Sequence, residues 1–319
     1  MKTPIGILSI ALLMGSTSFG GTLFTEDFDD NQTPDGWVAH TYTDGNHTTL
    51  GTEQDDTFRY PNNPGYLRLT EDSTYQHTTM VKTDQTLNTQ NSFSFTADVR
   101  IQGTGSGADG LSFFWMSKAS VDSLINTDDN GVTSVADISG GAGEWQGAPH
   151  GNDPTKSVGY YEGIRGYSFE FDHYPNGSDE LQEYNHFIRL DDWDHSATVA
   201  AADRTTDNDF YYGNGWIRTH FDFDATLNGG TFSYYLERLE GTEEEIGTVT
   251  ETTTFTTAQL GDGWYDGFDE AYFGIGAATG GATAEHLVDN ITVVPEPSSA
   301  ALIGIGALIA AFIRKHFCD

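Results

Sequence analysis

Glu170 and Asp172 stand two residues apart in Tyr167-Ser-Phe-Glu-Phe-Asp172. A strand has a period of two, so both carboxylates and Ser168 share one face, while Tyr167, Phe169 and Phe171 enter a core on the other. The chain then turns through His173-Tyr174-Pro175-Asn176-Gly177, rich in oxygen donors, and continues to Asp179, Glu180 and His186. Two strand carboxylates, an Asn and an Asp on a turn, and a His beyond them are the donor types of a divalent-metal centre. Oxygen donors suit calcium, and a His among carboxylates suits a transition metal such as manganese. The same residues also build ordinary turns, and an acidic chain brings some carboxylates together by chance. Spacing alone leaves both readings open.

The elements that must position these groups read as β-strands. Asn91 to Ile101 alternates, with Phe93, Phe95, Ala97, Val99 and Ile101 on one face. Gly110 to Ser117 is apolar enough for a more fully buried strand. Trp216 to Phe223, Thr231 to Leu239 and Ala271 to Ala277 follow, separated by turn signals such as Asn228-Gly-Gly230. Helical periodicity is confined to the two ends, so the body is expected to be an all-β antiparallel sandwich or barrel. Ser120 to Pro154 lacks strand patterning and reads as long surface loops, where binding residues tend to sit. Within it, Gly140-Gly-Ala-Gly143 could bring backbone N–H groups close to a ligand or could be plain loop. Glu243-Glu-Glu245 reads as a solvated loop. No Walker-type or dinucleotide glycine motif opens a helix, so phosphate cradling has no support.

Of 319 residues, 48 are acidic and 14 basic, for a formal net charge of −34, which excludes nucleic acid as an expected partner. With 13% aromatics, the chain carries enough large apolar side chains for a packed core despite that charge. Residues 1–20 read as a signal peptide: Met1-Lys2-Thr3, an apolar run from Pro4 to Leu13, and a small-residue cleavage signal ending at Gly20. The single cysteine, Cys318, leaves the fold no disulfide of its own. Residues 21–294 form the expected domain. In 295–319, Pro295-Glu-Pro297 precedes an apolar run from Ala300 to Ile313 and the basic Arg314-Lys315. The run is short against the roughly 20 residues that span a bilayer, and the basic pair would hold its end on the cytoplasmic side. This terminus resembles the PEP-CTERM sorting signal of Gram-negative bacteria. The resemblance implies transient anchoring in the inner membrane, cleavage by an exosortase, and delivery to the cell envelope or extracellular matrix.

Three segments, in order, resemble the legume-type (L-type) lectins: Gly107-Ala-Asp-Gly-Leu-Ser-Phe-Phe-Trp115, Val158 to Asp172 with Tyr174-Pro-Asn176, and Phe273-Gly-Ile-Gly-Ala-Ala-Thr-Gly-Gly281 with His286 beyond. The resemblance implies a concanavalin A-like β-sandwich holding Ca2+ and Mn2+ or another transition metal beneath a shallow sugar site. Carried over residue by residue, Glu170, Asp172, Asp179 and His186 would hold the transition metal. Asp172, the Tyr174 carbonyl, Asn176 and Asp179 would hold calcium. Asp109, after a cis Ala108–Asp109 peptide, and Asn176 would hydrogen-bond sugar hydroxyls, and Tyr174 would stack at the edge. Two departures stand out. The interval from Asp179 to His186 is longer than in many members, which leaves Glu180 and Glu183 as alternative ligands. An insertion from Glu144 to Lys156 follows the glycine-rich loop, where Gly141 is the candidate backbone donor.

These readings converge on an exported, metal-dependent carbohydrate-binding protein whose partner is a glycan or exopolysaccharide, and not on an enzyme. Retaining glucanases of the same architecture resemble one another in a Glu-x-Asp-x-x-Glu strand. Here the third position is Pro175, which cannot act as an acid. No Gly-x-Ser-x-Gly elbow is present either. The alternative is a structural or adhesion protein of the matrix that keeps the lectin fold without binding sugar. The family resemblance also allows a homodimer paired through back sheets.

Overall fold

The computed structural model describes residues 21–28, 34–43, 65–74, 76–103, 110–127, 133–135, 166–172, 187–192, 197–201, 213, 215–226, 229–242, 244–250, 252–256 and 267–295. In chain order the strands are β1 (Phe24–Glu26), β2 (Trp37–Thr43), β3 (Leu67–Thr70), β4 (Gln76–Leu87), β5 (Phe93–Gln102) and β6 (Gly110–Ser117). A short helix α1 (Lys118–Leu124) leads into β7 (Ile125–Thr127), β8 (Thr133–Val135), β9 (Gly166–Asp172), β10 (Phe187–Asp192) and β11 (Ala197–Ala201). The last strands are β12 (Ile217–Thr226), β13 (Gly229–Arg238), β14 (Thr253–Thr256), β15 (Ala271–Thr279) and β16 (Glu285–Pro295).

Two seven-stranded antiparallel sheets result. The back sheet runs β1-β16-β5-β12-β13-β14, with β3 also paired to β16, and the front sheet runs β11-β10-β9-β6-β15-β4-β2. Their facing surfaces follow the predicted alternation. Phe93, Phe95, Phe221, Phe223 and Phe232 of the back sheet meet Phe113, Trp115, Phe169 and Phe273 of the front, all buried. The rings tile the interface: Phe95 lies 4.9 Å from Phe221, 5.1 Å from Phe113 and 5.4 Å from Phe273 between centroids. Each such ring removes about 150–250 Å² from water, which supplies the core that a chain without disulfides needs.

The expected loops from Ser120 to Pro154 are corrected at their start. The Ser117 side chain accepts from the Ser120 N–H and caps α1, and β7 pairs with β8 in a small hairpin. Val121 of α1 packs with Val81, Phe114, Met116 and Tyr272 on the outward face of the front sheet, forming a second small core. Gly274 makes that core possible. A Cβ there would lie 2.2 Å from the Phe114 ring, so only glycine lets the ring lie flat on the strand.

Short crossovers define two poles. At one, Gln102 leads to Gly110, Thr70 to Gln76, and Thr279 to Glu285; at the other, Leu87 leads to Phe93. The first pole is stitched by side chains. Thr279 Oγ1 accepts from the Gln76 N–H at 3.0 Å and donates to the Ser73 carbonyl at 2.7 Å. Thr70 Oγ1 donates to the Ala284 carbonyl at 2.9 Å and lies 2.6 Å from His286 Nδ1. Because the hydroxyl's one proton goes to the carbonyl, the imidazole must supply the other, which makes His286 an Nδ1–H tautomer. Burial holds its pKa down to about 3.

Candidate functional site

Glu170 is the described carboxylate among the candidate metal-binding residues. On β9 it is fully buried, although it faces away from the sandwich core. Ser168 Oγ donates to its Oε1 at 2.5 Å. In register beside it are Ser112 of β6 and Arg189 of β10. Continuing across the sheet, Gly276 of β15 stands opposite Ser112, and Thr79 of β4 opposite Gly276. The next row toward the loop pole holds Asp172, Gly110 and Ala278. The floor of this half of the front sheet is therefore made of Ser, Gly, Ala and Thr, all buried, around one buried carboxylate and, two residues on, a second carboxylate position. By contrast, the other half of the same face is filled by the Phe114–Met116–Val121 core.

The fold brings two loops of the predicted site to one pole, while the segment bearing Gly141 enters β9 at Gly166, at the other end of that strand. Residues 173–186 leave β9 at Asp172 and re-enter β10 at Phe187, which is the residue opposite Asp172. Residues 104–109 deliver the chain to Gly110, also opposite Asp172. Asp109, Gly141, Tyr174, Asn176, Asp179, Glu180, Glu183, His186 and the Ala108–Asp109 peptide lie outside the described residues, as does the Asp172 side chain. Among the described residues there is no cis peptide bond, and no group of three or more His, Cys, Asp or Glu is placed to hold a metal. What is described fits a divalent cation in donor chemistry: a buried carboxylate and a second carboxylate position share one face, at the mouth of an oxygen-rich loop.

The period of two placed Ser168 on the face of Glu170 as expected, whereas Ser112 and the register position of Arg189 were missed. The period-two pattern of Phe187-Ile-Arg-Leu could have assigned Arg189 to the face of a strand, but only the β9–β10 register puts it opposite Glu170. His286, quoted in the third motif, is a fully buried residue tied to Thr70.

No family model matches the chain and no curated protein does. Solved structures do. A lectin from Bauhinia forficata in complex with GalNAc has a TM-score of 0.54 at 14% identity, covering 86% of this chain and 98% of that one. A seed lectin of Lotus tetragonolobus gives 0.53 at 12%, covering 87% and 100%. Lectin I-B4 of Griffonia simplicifolia, in a metal-free form, gives 0.52 at 16%, covering 85% and 97%. Likeness at these identities speaks for the fold, and it agrees with the two antiparallel sheets: the chain has a legume lectin-like β-sandwich.

Proposed function

We propose that this protein is an exported, metal-dependent carbohydrate-binding protein of the bacterial envelope or extracellular matrix, without enzymatic activity. The observation that carries the reading is the buried carboxylate of Glu170. It shares a face with Asp172, at the pole where the loops bearing Asp109 and Asn176 leave the sheet. Buried carboxylates are found hydrogen-bonded, paired or coordinating a metal, and a divalent ion shared with Asp172 is the partner this reading assigns. In this reading Glu170, Asp172, Asp179 and His186 hold a transition metal, and Asp172, Tyr174, Asn176 and Asp179 hold Ca2+. Asp109, Asn176, Gly141 and Tyr174 meet the sugar. A bound ion would fix the acceptor groups in advance, so that sugar hydroxyls meet them at low entropic cost. Two of the similar lectins give this support of their own kind: one is in complex with GalNAc, and another is a metal-free form of a lectin. Asp109→Ala is expected to abolish glycan binding while far-UV circular dichroism stays unchanged. Undiminished binding by that variant would remove the site assignment.

A structural or adhesion role is the second reading, and one observation favours it. Arg189 occupies the register position directly opposite Glu170, where Cβ atoms of antiparallel partners lie about 4.5–5.5 Å apart. A cross-strand ion pair there would neutralise Glu170 with no metal. Metal titration followed by thermal unfolding separates the two, since only the first reading gives a metal-dependent rise in Tm. Sorting by an exosortase, and the membrane stage that it requires, follow from the C-terminal Pro-Glu-Pro, apolar run and basic tail. Loss of envelope retention on deleting 295–319 is the expected result, and unchanged localisation would contradict it.

A further inference from the structure

Both ends of the sandwich emerge at one pole, and the candidate loops bearing Asp109 and Asn176 emerge at the other. Phe24 of β1 pairs with Val293 of β16, and the Leu23 N–H donates to the Val293 carbonyl at 2.8 Å. β16 ends with Pro295 opposite Phe93, beside the 88–92 crossover. At its start, Glu285 stands opposite Gln102, the residue from which the chain leaves toward Asp109. The two poles are separated by this 11-residue strand, about 35 Å at ~3.3 Å per residue.

We infer that the pole carrying Leu23, the 88–92 crossover and Pro295 faces the membrane, and that the pole carrying 104–109 and 173–186 is presented away from it. This rests on the membrane stage proposed above. The apolar run from Pro4 to Leu13 precedes β1, and that from Ala300 to Ile313 follows β16. Both feed the same pole. From Pro295 to Ala300 the chain reaches at most about 18 Å, half the height of the domain, so the tether cannot bring the far pole to the lipid without laying the sandwich on its side. Charge opposes that. A formal net charge of −34 repels an anionic membrane surface. Exposed Glu71, Asp72, Glu244 and Glu245 lie on far-pole turns, and the 88–92 crossover itself is uncharged, with exposed Asp84, Asp122, Asp224, Asp269 and Glu270 also lying toward the near pole. The arrangement would hold a glycan site clear of the bilayer while the protein awaits release.

The test uses the full chain carrying Cys318→Ser and one new cysteine, Gln90→Cys at the near pole or Glu244→Cys at the far pole, both exposed positions. Each is labelled with a donor dye and reconstituted into phosphatidylcholine–phosphatidylglycerol vesicles containing acceptor-labelled lipid, and vesicle flotation is measured in parallel. Both variants are expected to float. Energy transfer from the Gln90 position is expected to exceed that from Glu244 by about two-fold or more, given a height of ~35 Å. Flotation with equal or reversed transfer would overturn the orientation and leave the membrane stage standing. Failure to float would remove the membrane stage, and the orientation with it.

Discussion

The outward faces of the two sheets each bury carboxylates and treat them differently. On the back sheet, Asp98 of β5 stands opposite Asp289 of β16, and both are buried. Arg218 of β12 answers Asp98 with a fork, Nε to Oδ1 at 2.7 Å and Nη2 to Oδ2 at 3.0 Å. Asn290 sits in a bulge at φ 49, a conformation that Asn tolerates better than most residues. From there its amide donates to Asp98 at 3.0 Å and Asp289 at 2.9 Å. On the front sheet, Glu170 has a hydroxyl beside it and a floor of Ser, Gly, Ala and Thr around it. The back face is closed by its own cation and amide. The front face keeps small residues at Gly110, Ser112, Gly276 and Ala278, where the chain leaves β9 toward 173–186. The difference is one of place: Asp98 and Asp289 lie under a fork and an amide within the back sheet, whereas Glu170 lies two residues from Asp172, where the chain leaves the front sheet toward 173–186.

Acid should act first on the back sheet. His286 has a folded pKa of about 3, lowered by burial from an ordinary 6.5. Because the unfolded chain takes up the proton first, the stability is fully present above pH ~6.5 and is lost as pH falls toward ~3, by up to about 5 kcal/mol at ~1.4 kcal/mol per pH unit. His286→Gln should flatten urea-unfolding stability over that window relative to wild type. Parallel curves for the two proteins would show that His286 is not the sensor. Arg218→Ala should cost about 3 kcal/mol, because it leaves a buried carboxylate without its cation. That loss should be the same with calcium and manganese or with EDTA, and a metal-dependent loss would mean that the two faces are coupled.

On the front sheet the lever is metal. At a hundredfold excess over Kd, bound ions should stabilise wild type by about 2.7 kcal/mol, and Glu170→Gln should abolish that gain. If wild type gains nothing from metal while Arg189→Ala destabilises it, Glu170 is neutralised as the back sheet's Asp98 is, and the contrast between the faces disappears. The smallest effect belongs to the shared pole. Thr279→Val breaks the links to Gln76 and Ser73 and should cost about 1–2 kcal/mol, read as a drop in Tm. A variant as stable as wild type would show that this stitch does not hold the crossover.

Much of the sandwich was legible because alternation is a local signal. Phe93 to Ile101 and Tyr167 to Phe171 pack inward as their spacing requires. β4 was missed: Gln76-His-Thr-Thr-Met-Val-Lys-Thr has few apolar residues, yet Thr78, Thr79, Met80, Val81 and Lys82 are all buried by neighbours on both faces. α1 was missed because seven residues carry too little periodicity to distinguish them from a loop, and its stability comes from Val121 packing on the sheet. At the candidate site, the shared face of Glu170 and Asp172 follows from a period of two. The company that Glu170 keeps does not, since Ser112 arrives from β6, and the register that puts Arg189 of the next strand opposite Glu170 is not set by alternation. The same holds for Asp98 and Arg218, which alternation alone would leave in solvent and which register joins across 120 residues.

The most direct test of the central claim is binding of the purified protein to a glycan array in calcium plus manganese, after EDTA, and after the metals are restored. The account predicts binding that is lost with EDTA and recovered with metal. Binding indifferent to EDTA, or no binding by folded protein in any of the three buffers, would contradict it.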